Sequence, residues 1–348
     1  MNEPKISDQP VFVAPLISIV VVTRNRPIEL KRCLQSLNNA ARTNLPFEII
    51  LINNGGDPSG LNDLSTIKLL HCADRTPAEA RNIGSKSAQG EFLFFIDDDA
   101  AVPPHYFDLF QGTLKAHPDF DILGGPDQTF KDSKLFERSV GYALLSPLAT
   151  AHTRYRYGGQ LEEKIITAGE AKFILCNLWF RRKLFSEEHF QFDERFFRNE
   201  ENILLFQLRN KKAYYNPRLF VYHQRKTGLV SLGRAIFKSG LFRAKGSLIF
   251  PGSAGIKFFV PTAFDFYLSG LCYAPWGPAW WPLLIYFFLN LCLAFKIALS
   301  NRDGAAIPMV MFYQFFITLF YGIGFWVGMI YGVMVLTQSL RSKGSSRP

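Results

Sequence analysis

Three consecutive carboxylates, Asp97, Asp98 and Asp99, follow directly on the apolar run Phe92-Leu93-Phe94-Phe95-Ile96. Crowded together they repel one another, so the arrangement is unfavourable unless a cation or hydrogen bonds compensate. Side chains alternate along an extended chain, so Asp97 and Asp99 can face the same way. Hard oxygen ligands of this kind suit Mg²⁺ or Mn²⁺, with a diphosphate completing the shell. The plainer reading of a short acidic run is a solvated turn. The apolar run before it favours the ligand reading, as do two polar loops with which it converges. These are Thr23-Arg24-Asn25-Arg26 and Asn53-Asn54-Gly55-Gly56.

The elements that position these groups are legible from pattern. Residues 17–22 form a continuous apolar, β-branched run, as expected of a strand covered on both faces. Pro27 is placed to open a helix, in which Leu30, Cys33, Leu34 and Leu37 recur at helical spacing. Residues 47–52, 67–71 and 91–96 read as further strands, and Pro77 opens a helix through Ala88. Alternating strands and helices imply an α/β fold with a mainly parallel, Rossmann-like sheet. In such sheets ligands bind beyond the carboxyl ends of the strands, where all three loops sit. Beyond Pro104 the pattern predicts a strand over 173–180, a helix over 196–208 carrying Glu200 and Glu201, and a strand over 213–222 ending at His223. An amphipathic helix over 228–246 sets Leu229, Leu232 and Ile236 against Arg234, Lys238 and Lys245.

Charge and hydropathy are unevenly spread. The formal charge is +10, and residues 202–264 hold eleven of the 39 Lys and Arg but none of the 29 Asp and Glu. A basic segment on an otherwise neutral chain points to a local anionic partner, such as lipid headgroups, rather than to general nucleic-acid binding. No charged residue occurs over 305–340, and Lys296 is the sole one over 266–301. These stretches exceed the roughly 20 apolar residues that span a bilayer. Two crossings, 280–299 and 305–336, are expected, with the weaker apolar stretch 258–274 open to an interfacial, re-entrant or third-crossing reading, and with Trp276, Trp280 and Trp281 as an interfacial belt. Basic residues on both flanks predict a multi-pass protein of the inner or plasma membrane with a cytoplasmic catalytic domain. No signal peptide is expected. The five scattered cysteines show no metal-ligand spacing and fit a reduced compartment.

The chain resembles the catalytic domain of family-2 glycosyltransferases from Ile17 to about His223. The resemblance rests on SIVVVTRNR, the strand ending INNGG, AEARNIGSKSAQGEFLFFIDDDAAVPP, CNLWFRR, FDERFFRNEEN and the strand end VYH, in that order. It implies a GT-A fold and inverting transfer from a nucleotide sugar, UDP-linked by first choice, to a glycan or lipid-linked acceptor. By the same resemblance Thr23, Arg24, Asn53, Arg81, Asp97 and Asp98 would contact the donor, and Asp99 and His223 would ligate the metal. Glu201 would be the catalytic base, with Gly125, Asn177 and Glu200 on the acceptor side. Two positions depart from the family pattern. Asn53 stands where relatives usually carry a base-reading Asp, and Glu201 stands where the base is commonly Asp. The expected organisation is a tail (1–14), the glycosyltransferase domain (15–226), a basic interfacial segment (227–275), a membrane hairpin (276–340) and a basic tail (341–348). The rival readings are nucleotidyl transfer, weakened by the lack of a glycine-rich phosphate loop, and a non-catalytic scaffold of glycan assembly, which has no use for a metal and a base.

Overall fold

The computed structural model describes residues 15–40, 45–56, 67–158, 164–168 and 172–344, so the expected tail 1–14 lies outside them. The first half alternates β1 (Ile17–Thr23), α1 (Pro27–Ala40), β2 (Phe47–Asn54), β3 (Ile67–Cys72), α2 (Pro77–Lys86) and β4 (Phe92–Asp97). There follow β5 (Ala100–Ala101), α3 (Tyr106–Ala116), β6 (Ile122–Gly124), β7 (Asp127–Thr129), α4 (Leu135–Leu144), α5 (Pro147–Thr150) and β8 (Lys164–Thr167). The remainder is β9 (Leu178–Arg181), α6 (Lys183–Ser186), α7 (Glu200–Gln207), β10 (Lys212–Tyr215), β11 (Val221–His223), α8 (Leu229–Ile249), α9 (Val260–Leu271), α10 (Trp281–Ser300) and α11 (Ile307–Gly344).

The main sheet has the order β3-β2-β1-β4-β9-β6-β10-β8. Its β3-β2-β1-β4 half is parallel, as is the pair β6–β10, while β9 runs antiparallel to both neighbours and β8 closes the edge antiparallel. Both faces of β1 are covered, which is why its sequence is apolar at nearly every position. Ile17, Ile19 and Val21 pack with Leu30, Leu34 and Leu37 of α1, whereas Val20 packs with Ala78 and Ala80 of α2. Trp179 of β9 lies between Phe94 and Phe110, its ring centroid 4.3 and 4.1 Å from theirs. A buried aromatic of this kind contributes about 3–5 kcal/mol by the cost of its truncation.

A small second sheet, β5-β11-β7, sits at the carboxyl ends of the main strands. It accounts for one departure from the expected pattern. The strand anticipated over 213–222 is split, because Asn216-Pro217 interrupts the ladder and Pro has no N–H to donate. β10 stays in the main sheet, and β11 crosses to pair with β5 and β7. The strand expected over 173–180 begins only at Leu178, after a 3-10 turn at Leu175–Asn177. The helix expected from 196 begins at Glu200, because Asn199 takes a left-handed conformation (φ 64°).

The C-terminal helices form a layer on this domain. Pro278–Ser300 and Gly304–Val333 are long and apolar enough to cross a membrane by length and composition. Of the apolar side of α8, Leu232 and Ile236 pack into a cluster with Phe316 and Ile317 of α11, while Leu229 stays exposed.

Candidate active site

The register of the main sheet brings the polar loops together. Thr23 lies beside Asn53, and Val22 beside Asp97. The acidic run is then tied down from three directions. Thr23 Oγ1 donates to Asp98 at 2.8 Å. Arg26 bridges Asp98 at 3.0 Å and Asp99 at 2.9 Å. Arg81, on the capped helix α2, donates to Asp97 at 2.9 Å and to Glu200 at the start of α7. The Arg81 side chain is buried, so it links the acidic run to the Glu200-Glu201 pair rather than lying on the surface.

The small sheet delivers the histidine. His223 pairs in register with Ala100, next after Asp99, and with Thr129. Its Nε2 lies 3.0 Å from Asp99, and its Nδ1 lies 2.7 Å from the fully buried Asp127. Asp127 is also gripped by both terminal nitrogens of Arg225 at 2.9 Å. Burial works against charge on His223, yet Cys176 and the two carboxylates around it hold its pKa well above the ordinary value. The imidazolium, Arg26 and, more weakly, Lys226 balance Asp99 and hold it well below the usual carboxylate range despite its burial. A neutral imidazole and the same carboxylate oxygens are a donor set that Mg²⁺ or Mn²⁺ accepts. Asp97, Cys176 and His223 also offer ligand atoms within 4.8 Å of one another. Burial pushes the Cys176 thiol up to about 12, which leaves it protonated and a poor ligand for a hard ion.

The residues named from sequence fall into two groups. Thr23, Arg81, Asp97, Asp98, Asp99, Glu200 and His223 meet in this one network. Glu201 borders it through Arg156, whose Nη1 lies 3.7 Å away. Arg24 lies outside: it is half exposed and pairs with Asp74 at 2.6 Å. Asn53 spends its amide on its own loop, donating to Gly56 O at 2.9 Å and accepting from Gly56 N at 3.0 Å. Asn177 is a tether rather than an acceptor-facing group. It is fully buried, donates to Pro126 O and Leu219 O, and accepts from Tyr106 Oη. Gly125 is likewise required by packing, since a Cβ there would sit 2.0 Å from the carbonyl oxygen of Leu219. Gly125→Ala is therefore expected to destabilise the protein by about 1–3 kcal/mol, the usual cost of forced overpacking. A chemical-denaturation midpoint unchanged from the parent would contradict this.

Four residues of the network carry no earlier assignment: Arg26, Asp127, Arg156 and Arg225. Arg26 stands in the TRNR loop already singled out, so its sequence signal was present. Asp127, Arg156 and Arg225 belong to no recognised motif and are found only through the pairing of β7 with β11 and the contact of 151–157 with α7.

Residues 18–188 match the family described as "Glycosyl transferase family 2". The chain carries a glycosyl transferase family 2 domain. Its sequence is 26% identical over 230 residues to the uncharacterized glycosyltransferase EpsJ of Bacillus subtilis, a match covering 63% of this chain and 64% of EpsJ. It is 24% identical over 229 residues to glycosyltransferase GlyG of Streptococcus pneumoniae, covering 63% of this chain and 74% of GlyG. The chain thus spans just under two thirds of EpsJ. Among solved structures it is similar to the mannosyltransferase PcManGT from Pyrobaculum calidifontis in complex with GDP-Man and Mn²⁺ (TM-score 0.52, 13% identity, 92% of this chain and 88% of that one). It is also similar to S. aureus TarS 1–349 in complex with UDP (TM-score 0.50, 12% identity, 90% and 91%). The fold is therefore of the GT-A type.

Electrostatics of this glycosyltransferase domain set a pH dependence. Burial pushes Asp98 up to about 6, against the pull of Arg26, and pushes Glu200 up to about 7, against that of Arg81. A carboxyl group raised in the folded state contributes stability that is present below its ordinary value and lost as pH rises through the raised one. The metal-free protein is therefore expected to lose thermal stability between about pH 4 and 7, and Glu200→Gln to flatten that decline. Metal binding needs deprotonated ligands, so any stabilisation by added Mn²⁺ with UDP is expected to grow over the same interval. Melting curves with chelator and with Mn²⁺ and UDP check both; a metal-free midpoint independent of pH across this range would contradict the assignment.

Proposed function

We propose that the protein is a membrane-associated, metal-dependent inverting glycosyltransferase. It moves a sugar from a nucleotide-sugar donor, UDP-linked by preference, to a glycan or lipid-linked acceptor in the synthesis of surface polysaccharide or glycolipid. The catalytic domain faces the cytoplasm at the plasma membrane. The observation that carries this reading is the convergence of Asp97, Asp98 and Asp99 with Arg81, Glu200, Glu201 and His223 at the carboxyl ends of the strands. PcManGT in complex with GDP-Man and TarS 1–349 in complex with UDP, which share the fold, support a nucleoside-diphosphate sugar as donor.

In this mechanism Thr23, Arg81, Asp97 and Asp98 orient the donor, and Asp99 and His223 hold Mg²⁺ or Mn²⁺. The ion, when bound, supplies positive charge to the departing diphosphate. Glu201 takes the proton of an acceptor hydroxyl as its oxygen forms the new bond to the anomeric carbon. The old bond to the diphosphate breaks on the opposite face, and the nucleoside diphosphate leaves with the electron pair. Glu200 is the poorer candidate for the base, because its carboxylate is already committed to Arg81. Among the described residues the cation paired with Glu201 is Arg156 at 3.7 Å, beyond hydrogen-bonding distance, a looser hold than Arg81 has on Glu200.

Incubating the full-length chain with UDP-, GDP- and dTDP-sugars and reading the anomer of the product by proton NMR tests this. Metal-dependent release with inversion from at least one donor is expected. Retention, or no release from any donor, counts against the proposal.

A further inference from the structure

Hydropathy alone predicts that α10 and α11 cross a bilayer with residues 300–304 on the far side from the catalytic domain. The contacts place that loop elsewhere. Asp303 at the hairpin tip pairs with Arg138 of α4 at 2.9 Å. Ala294, Ala306 and Val310 share a buried cluster with Val140, Ala143 and Leu144 of the same helix. Further along α11, Gln314 accepts from Ser146 Oγ, and Thr318 Oγ1 donates to Leu148 O at 3.2 Å.

The other end of α11 is equally close to the domain, through α8. The two helices run parallel with their backbones in contact. A Cβ on Gly240 would meet Tyr321 O at 2.2 Å, on Gly324 would meet Phe237 O at 2.1 Å, and on Gly328 would meet Leu241 O at 2.5 Å. In turn α8 is fastened to the start of α7, where Asn199 Nδ2 donates to Ser239 O and Arg198 Nε to Ser239 Oγ, both at 2.8 Å. From residue 303 to 328, roughly 38 Å at the helical rise, α11 lies along α4, α5 and α8 of the catalytic domain's flank. A perpendicular crossing would carry Arg138, Asp303, Arg198 and the exposed Arg234 and Lys238 to hydrocarbon depth, which charged groups resist strongly.

The outer side of this layer still requires an apolar solvent. Helix α10 buries only a narrow stripe, Asn290, Ala294 and Ala298, against α11. Elsewhere it exposes large side chains such as Leu284, Ile285, Phe288 and Leu299. A helix apolar all round is stable only inside protein or lipid. The rim of the layer presents Tyr273, Trp276 and Trp281, residues that favour the headgroup level. Lys257, Lys296 and Arg302 of the same C-terminal segment are exposed, charges that suit an anionic lipid surface.

We propose that α9, α10 and α11 seat the chain in one leaflet of an anionic bilayer, lying along it rather than through it. The hairpin tip then stays on the catalytic-domain side, and the active site is held at a constant height over the headgroups. The experiment uses full-length chain in sealed vesicles, with the exposed Cys272 and Cys292 changed to Ser. A membrane-impermeant maleimide is applied from each side to Arg302→Cys and to Lys115→Cys, an exposed position on α3. Labelling of both from the same side is expected, and Ser300→Cys serves if Arg302→Cys does not fold. Labelling of the hairpin tip from the opposite side overturns the proposal, as does a chain that stays in solution as an oligomer without lipid or detergent. An independent check is oxidative cross-linking of Arg138→Cys with Asp303→Cys in the membrane; a cross-link supports the in-plane arrangement, and failure to form one counts against it. None of these readouts depends on turnover, so they stand apart from the catalytic assignment.

Discussion

Asp99→Ala is expected to lower metal-dependent turnover by about 10³-fold, the scale on which losing a charge-stabilising group at a reacting centre registers. The fold should survive the change. Arg26 keeps its contact with Asp98, and His223 keeps Asp127 on its other nitrogen, so no buried cation loses every partner. The loss should also be selective. Asp99 contacts Arg26 and His223, whereas Arg81 is held by Asp97 and Glu200 and is untouched by the substitution. Steady-state rates with saturating Mn²⁺, together with a melting curve showing a folded protein, check this. A variant retaining turnover within a few-fold of the parent would remove Asp99 from the catalytic account.

Glu201→Gln is expected to lower kcat by 10²- to 10⁴-fold, the usual contribution of a positioned general base. Glutamine keeps the size and an acceptor oxygen, so the contact with Arg156 and the start of α7 should persist. KM for the donor should stay close to the parent value, because Glu201 is assigned to the acceptor proton and not to the diphosphate. Glu200→Gln makes the contrasting case. It weakens the hold on Arg81 and so is expected to raise donor KM more than it lowers kcat. The two variants thus separate a proton acceptor from a positioning residue, and a kcat loss confined to Glu200→Gln would reverse the assignment.

Much of the parallel half of the sheet was legible because its local signals agree with its environment. The run at 17–22 is apolar throughout since α1 and α2 cover its two faces, and Pro27 and Pro77 open helices where the structure has them. The convergence of Thr23, Asn53 and Asp97 followed from strand polarity alone. What stayed hidden depends on contacts distant in sequence. Asp127 lies in a three-residue strand without a motif, and its partnership with His223 exists only because β11 leaves the main sheet after Pro217. Asn177 sits in a family-like segment yet faces inward, because three polar partners draw it into the core.

The hairpin illustrates a different limit. Hydropathy reports that a surface avoids water, but it does not distinguish lipid from protein as the cover. The relevant signal was present in the four-residue spacing of Gly324, Gly328 and Gly332, which allows close helix approach. With that spacing α11 has a protein-facing side against α8, while α10 and the opposite side of α11 expose large apolar side chains such as Phe288 and Trp326.

The central claim is that the end of β4 and the end of β11 together form a metal–diphosphate site. Calorimetric titration of Mn²⁺ into the full-length chain, with and without UDP, tests it most directly when Asp99→Ala and His223→Ala are run beside the parent. The account predicts one Mn²⁺ per chain, bound far more tightly when UDP is present, with at least 10-fold weaker binding in each variant. Equal Mn²⁺ affinity in the parent and in both variants, or binding indifferent to UDP, would contradict it.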